Sequence, residues 1–160
     1  MIRTGIGFDA HRLVAGRPLV LGGVTIEFPR GLEGHSDADV LCHAVMDALL
    51  GAVADGDIGQ HFPDTDARWK DACSLDLLAA VGHRLRARHA TVVNLDVTMI
   101  AERPKLAPHI PAMRERMARA LDVTVNRVSV KATTVERLGA LGREEGMAAL
   151  CVATVDAADE

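Results

Sequence analysis

The sequence predicts an α+β fold, with one four-stranded mixed sheet, a small hairpin and about three helices on one face of the sheet. Three observations predict it. Stretches that alternate polar and apolar residues are interleaved with three apolar patterns at helical spacing. A Gly-Gly pair separates two short apolar runs. The chain has 160 residues, 49% of them apolar, which suits a single domain over 1–160 with one core.

Taken in order, a first strand around Arg3 to Phe8 delivers Asp9 and His11. Pro18 to Leu21 and Val24 to Glu27 flank Gly22-Gly23 as a hairpin. Val40, Leu41, Ala44, Val45, Ala48 and Leu49 recur at helical spacing within a helix over 37–54, with Ser36 or Asp37 as its N-cap. Gly56 to Asp66 is a loop, and Ser74 caps a second helix that runs to about Arg88. Val93, Leu95, Val97 and Met99 alternate with Asn94, Asp96 and Thr98 in a strand reaching Ala101. A third helix starts near Pro108, with Ile110, Met113, Met117, Ala120 and Leu121 on one side. Arg127 to Thr133 is a strand, Val135 to Leu138 a helical turn, and Met147 to Val155 the last strand.

A net charge of −4, an aromatic content of 2% and the lack of any Tyr argue against a nucleic-acid surface built from basic patches and stacking rings. Cys42, Cys73 and Cys151 are odd in number and widely spaced, which suits buried or inert thiols in a reducing compartment rather than disulfides. No apolar run approaches the ~20 residues of a membrane span, and the chain enters a strand within a few residues of Met1. The expected location is the cytoplasm.

The chemistry begins with Asp9 and His11. Alternate side chains of a strand share a face, so the two can meet one ion, and His43 would close the site from a helix. Carboxylate and imidazole are the zinc ligands expected where thiolates are absent, and three protein ligands leave a fourth position open, as in catalytic sites. The alternative is that an acid and two of seven histidines merely decorate a strand and a helix. His35 and Ser36 precede a helix start whose amides are expected to be free and attractive to phosphate. Asp39, His43 and Asp47 form a polar stripe, either solvated or turned toward a site.

Three further segments carry polar groups. Asp57, Ile58 and Gly59, with Phe62, Pro63, Asp64, Thr65 and Asp66, offer carboxylates and open backbone to a polyol, or are ordinary turn chemistry. Thr133, Thr134 and Glu136, after Lys131, suit phosphate and a divalent cation, or form a plain helix cap. Ala101, Pro104, Lys105 and Leu106 leave a strand end with unpaired backbone that can rim a base pocket, or an irregular loop.

In sequence order, the blocks Gly7-Phe8-Asp9-Ala10-His11, His35-Ser36-Asp37-Ala38-Asp39, Gly56-Asp57-Ile58-Gly59, Phe62-Pro63-Asp64-Thr65-Asp66, Pro104-Lys105 and Lys131-Ala132-Thr133-Thr134 closely resemble the 2-C-methyl-D-erythritol 2,4-cyclodiphosphate synthases. The resemblance runs along nearly the whole chain. It implies a homotrimer with sheets toward the threefold axis and active sites between subunits. Zinc would be held by Asp9, His11 and His43, with a substrate phosphate oxygen in the open position. His35 and Thr134 would be transition-state stabilisers, and Ser36 would contact phosphate. Asp57 to Gly59 and the 62–66 loop would surround the methylerythritol. The cytidine would sit in a pocket from the 101–107 stretch, with Ala101, Pro104, Lys105 and Leu106, and from Thr133 to Glu136, with Glu136 holding magnesium or manganese. The implied reaction closes 4-diphosphocytidyl-2-C-methyl-D-erythritol 2-phosphate into the cyclic diphosphate and releases CMP. Arg143 would face an axial cavity that takes an isoprenoid diphosphate, although Ala140 and Glu144 depart there from the aromatic residue and glycine common in the family.

Two rival readings use the same residues. A zinc-dependent phosphoester hydrolase would activate a water at the open position. A non-enzymatic trimer with a structural metal would need a fourth ligand, for which His61 is the candidate.

Overall fold

A computed structural model describes residues 1–158 of the chain. One mixed sheet dominates it, in the order β4 (Arg30–Leu32), β1 (Ile2–Ala15), β7 (Gly146–Ala157), β5 (Ala90–Ile100), β6 (Val128–Thr133). Only β5 and β6 run parallel. β2 (Leu19–Leu21) and β3 (Val24–Ile26) form the separate hairpin that Gly22-Gly23 announces, with both glycines at positive φ as a tight two-residue turn requires.

The sheet therefore has five strands rather than the four expected from sequence. The additional strand, β4, is three residues long and pairs only with Leu13 to Ala15, the far end of β1. So short a run carries no alternation to read. Gly31 belongs there because a Cβ on it would lie 2.2 Å from the Pro18 carbonyl oxygen. β1 also runs well past Phe8, so Asp9 and His11 sit inside a strand rather than at its end.

Three long helices, α1 (Val40–Ala52), α3 (Ser74–Ala87) and α4 (Ile110–Leu121), cover one face, as expected; α2 (Ile58–His61) and α5 (Gly139–Gly142) are single turns. α1 lies directly on β1. A Cβ on Gly5 would fall 2.0 Å from the Ala48 carbonyl oxygen, and one on Gly7 would fall 2.0 Å from that of Ala44. Two glycines on the strand and Ala44, Ala48 and Ala52 on the helix thus let the two backbones touch.

Neither expected N-cap holds. α1 begins at Val40, and its cap is Asp39, fully buried, whose carboxylate accepts from the amides of Cys42 (3.1 Å), Gly22 (2.9 Å) and Gly23 (2.6 Å). Burial pushes this carboxyl pKa up and the three amides pull it back. Asp39 accordingly joins the hairpin turn to the helix start and is not part of a polar stripe. Ser74 is the first residue of α3 rather than its cap; the cap position is Cys73, and the Asp37 carboxylate accepts from the Ser74 amide at 3.0 Å. Of the three thiols expected to be buried or inert, Cys42 and Cys151 are buried and Cys73 is exposed.

Two other expectations shift. A bulge between Val92 and Asn94 resets β5, so Val92 is buried and Val93 is exposed, and the alternation holds only from Leu95 onward. The helical turn expected over 135–138 is a loop in which Glu136 and Arg137 take left-handed φ, with the single-turn helix α5 starting at Gly139.

The second face of the sheet is bare. Ile6 (67% exposed), Phe8 (60%), Leu150 (37%) and Val152 (39%) make an apolar patch on it, with Ile6 opposite Val152 and Phe8 opposite Leu150. Isolated apolar residues on a surface are ordinary; two adjacent cross-strand pairs are not.

The backbone contact between β1 and α1 generates a prediction. Gly7→Ala should destabilise the fold by about 3 kcal/mol or more, since the obstructing atom is backbone and cannot rotate away. Gly51→Ala, in α1 with nothing within 4 Å of the new Cβ, should stabilise it by about 0.5–1 kcal/mol. Urea midpoints of the two variants check both.

Candidate metal centre and substrate cavities

The odd-numbered residues of β1 face the helices, and the seating of α1 on Gly5 and Gly7 carries His43 to Asp9 and His11. His11 Nε2 lies 2.8 Å from Asp9 Oδ2, His43 Nδ1 lies 3.0 Å from the same oxygen, and the two imidazole nitrogens are 3.2 Å apart. Ligands around a tetrahedral zinc at ~2.0–2.1 Å stand about 3.3 Å from one another, so this triangle needs only a slight opening to hold such an ion. Among the described residues it is the one grouping of three such side chains in ligating range. His61, the candidate fourth ligand, instead meets the Asp55 carbonyl oxygen through Nε2 at 2.7 Å.

Each ligand has its other polar atom engaged. Asp9 Oδ1 accepts from the Ala10 amide at 2.8 Å. His11 Nδ1 lies 2.8 Å from the Glu33 carbonyl, which can only accept, so Nδ1 keeps its proton and Nε2 is the nitrogen turned toward Asp9 and His43. His43 Nε2 meets Ser36 Oγ and Ser74 Oγ, leaving Nδ1 for a metal. Burial alone would raise the pKa of the Asp9 carboxyl, but hydrogen bonds and attraction from His11 and His43 outweigh it and hold it far below the carboxylate range. Burial likewise lowers that of His11, and the Asp9 hydrogen bond and charge more than reverse this. A cation entering the triangle displaces the proton shared there, so its affinity weakens as pH falls.

A cavity of about 420 Å³ opens over the triangle. His35, Ser36, Ile58, Gly59, Phe62, Pro63 and Asp64 line it, as the sequence led us to expect. Asp57, Thr65 and Asp66 do not. Asp57 caps α2 by accepting from the Gln60 amide, and Asp66 caps a short 3-10 turn and binds Arg68. The free amides expected after Ser36 are absent too: those of Asp37, Ala38 and Asp39 are all bonded, to the Ala72 carbonyl, Ser36 Oγ and Asp37 Oδ1. The polar atoms that remain are His35 Nε2 and Trp69 Nε1, both buried without a protein partner and both on residues of the cavity wall.

Sequence reasoning missed Trp69 and Arg17 as supporting residues, and placed Asp47 only as one member of a polar stripe. Trp69 stands edge-on to Phe62, with ring centres 5.1 Å apart. Asp47 Oδ1 accepts from the Ile58 amide at 2.9 Å and so ties α2 to the helix that carries His43. Arg17 grips the loop of His35 through the carbonyls of Gly34 (3.1 Å) and Ser36 (2.8 Å). Asp47, by its helical spacing from His43, and the lone Trp had a signal in the sequence; Arg17 had none.

A second cavity, of about 620 Å³, is lined by Ala101, Pro104, Lys105, Leu106, Thr133 and Thr134, with Phe28 and Glu102. Glu102 Oε1 accepts from the amides of Val135 (2.9 Å) and Arg137 (3.1 Å), which holds the left-handed loop in place. Thr134 Oγ1 donates to Glu136 Oε1 at 2.9 Å. Lys131 is paired with Asp96 and Arg143 with Glu145, both at 2.6 Å. The two cavities share no wall residue. Ala10, Ala148, Ile100 and Thr133 form one row across β1, β7, β5 and β6, and three strand spacings put its ends roughly 14 Å apart.

Comparison with known proteins agrees with this architecture. The 2-C-methyl-D-erythritol 2,4-cyclodiphosphate synthases of Synechococcus elongatus and Symbiobacterium thermophilum are 58% and 60% identical to it over 151 residues, covering 94% of this chain and 94% and 96% of theirs. The bifunctional IspDF of Campylobacter jejuni superposes with a TM-score of 0.95 at 44% identity, over 99% of this chain and 43% of that longer one. IspF of Plasmodium falciparum, solved as a CDP complex, superposes at 0.86 with 27% identity, over 99% and 97%. With its model matched over residues 2–156, the chain belongs to the YgbB family.

Proposed function

We propose that the chain closes 4-diphosphocytidyl-2-C-methyl-D-erythritol 2-phosphate into 2-C-methyl-D-erythritol 2,4-cyclodiphosphate, releasing CMP, in the non-mevalonate route to isoprenoids. The observation that carries the reading is the triangle of Asp9 Oδ2, His11 Nε2 and His43 Nδ1 beneath a polyol-sized cavity, in a chain 58% identical to proteins named for this reaction. The relatives give the phosphoester-hydrolase alternative no support.

The substrate brings its own nucleophile. An oxygen of the 2-phosphate bonds to the β-phosphorus, the bond from that phosphorus to the CMP oxygen breaks, and the electron pair leaves with CMP. An ionised phosphate needs no strong base, so the chain has to fold a flexible polyanion until the two phosphates meet, an effect worth ~7–11 kcal/mol in favourable cases. Zinc on Asp9, His11 and His43, with magnesium or manganese on Glu136, would supply the positive charge that offsets phosphate repulsion. His35 and Ser36 hold phosphate from the wall of the metal cavity, and His35 Nε2 is free to donate. Gly59 presents backbone to the erythritol hydroxyls beside the Ile58 side chain, while Phe62, Pro63 and Asp64 shut out water. The second cavity takes the cytidine, with Thr133 and Thr134 on the diphosphate.

One substrate must span both cavities, yet on one chain they are separate. A neighbouring copy that lays its second cavity against the metal cavity of the first completes the site. A contact between two different patches of this kind closes into a ring, and the bare apolar face of Ile6, Phe8, Leu150 and Val152 is the surface that three copies would bury around an axis. In such a trimer an isoprenoid diphosphate would have to draw Arg143 away from Glu145, and Ala140 offers it little apolar area. No helix among the described residues is long and apolar enough to cross a membrane; we place the enzyme in the cytoplasm.

Phosphorus NMR of the protein with zinc, magnesium and substrate should show the cyclic diphosphate and CMP in equal amounts. Inorganic phosphate or a linear diphosphate instead would overturn the reading. His43→Ala should abolish turnover while sedimentation still reports the trimer. Thr134→Ala should lower turnover about 10²-fold at unchanged zinc content, as expected for loss of one transition-state donor. Phe8→Asp should leave a folded monomer without turnover, measured by sedimentation and circular dichroism.

A further inference from the structure

We infer that Ser74 and Asp37 orient the metal-facing histidine His43 and strengthen it as a ligand, a positioning role that rests on the metal-centre reading above. His43 Nε2 has two hydroxyl partners, Ser74 Oγ at 3.1 Å and Ser36 Oγ at 3.2 Å. Their surroundings differ. Ser36 Oγ also accepts from the Ala38 amide at 3.1 Å, and Ser36 lines the metal cavity. Ser74 is fully buried, and its hydroxyl donates to Asp37 Oδ1 in a short hydrogen bond.

A hydroxyl that gives its proton to a carboxylate becomes a better acceptor. The proton sequence is therefore fixed: His43 Nε2–H donates to Ser74 Oγ, and Ser74 Oγ–H donates to Asp37. The charge of Asp37 thereby reaches the imidazole, holds it in the tautomer with a bare Nδ1, and aims that nitrogen at Asp9 and His11. The two serines divide the work. Ser74 serves the histidine, and the Ser36 proton, which has no acceptor assigned by these contacts, is left for the cavity.

The competing account is that Asp37 only caps α3. Its Oδ2 accepts from the Ser74 amide at 3.0 Å, and its Oδ1 also accepts from the Asp39 amide at 3.2 Å. Those bonds survive removal of the Ser74 hydroxyl, so Ser74→Ala separates the two accounts.

The test is zinc affinity of the full chain in competition with a chromophoric chelator, together with thermal melting of the metal-free protein. Ser74→Ala should bind zinc about 10–100-fold more weakly with the metal-free melting temperature little changed, and Ser74→Thr, which keeps the hydroxyl, should recover most of the affinity. Should Ser74→Ala fail to fold, Asp37→Asn reads the same link and should also weaken zinc binding. Parental affinity in Ser74→Ala, or a loss that Ser74→Thr does not reverse, would overturn the inference while leaving the metal centre intact. Failure of the parent chain itself to bind zinc would overturn the metal centre.

Discussion

Backbone contact between β1 and α1 is the constraint on which the rest depends. A sheet and a helix normally stand ~10 Å apart, separated by side chains. Here Gly5 and Gly7 remove those side chains from the strand, and Ala44 and Ala48 present helix backbone in their place. The closeness matters to the metal centre because His43 is a short reach from its Cα and Asp9 a shorter one. A side chain at Gly7 would meet the α1 backbone and push His43 away from Asp9. Asp39 fixes the other end of the same helix by pinning its first turn to the hairpin, so α1 is held both along its length and at its start.

Much of this was legible in the sequence because two kinds of signal act locally. Alternation and helical spacing reveal elements, which is why the three long helices, the hairpin and the longer strands fall where expected. Asp-x-His in an apolar strand reveals a candidate ligand pair, since parity alone puts both side chains on one side. What stayed hidden depends on contacts between distant segments. β4 is a strand only because β1 is beside it. The capping carboxylates are reassigned for the same reason: Asp39 looks like a helix residue and Asp37 like its cap until the hairpin turn and the start of α3 compete for them. The bulge at Val93 is equally invisible, because the apolar residues on its two sides are locally consistent with one unbroken alternation.

Parts of the candidate site were legible only as blocks of residues. Ile58, Gly59, Phe62, Pro63 and Asp64 do wall the metal cavity, yet Asp57 and Asp66 spend their carboxylates on helix caps. Glu102 is the reverse case. It stands in a segment read as an irregular rim, and the structure shows that it grips two amides of a loop more than thirty residues away in the chain. A polar atom's partner is what decides its use, and sequence alone does not name partners.

β1 also has a property that follows from its parity. Its odd positions carry Gly5, Gly7, Asp9 and His11 toward α1, and its even positions carry Ile6 and Phe8 to the bare face. A slip of one residue against β7 would exchange the two sets, setting Phe8 against the helix and both ligands on an apolar surface. One strand thus encodes two unrelated surfaces in a single phase, and a single-residue insertion or deletion within it would destroy both together. Insertions and deletions should accordingly be tolerated outside β1 rather than within it.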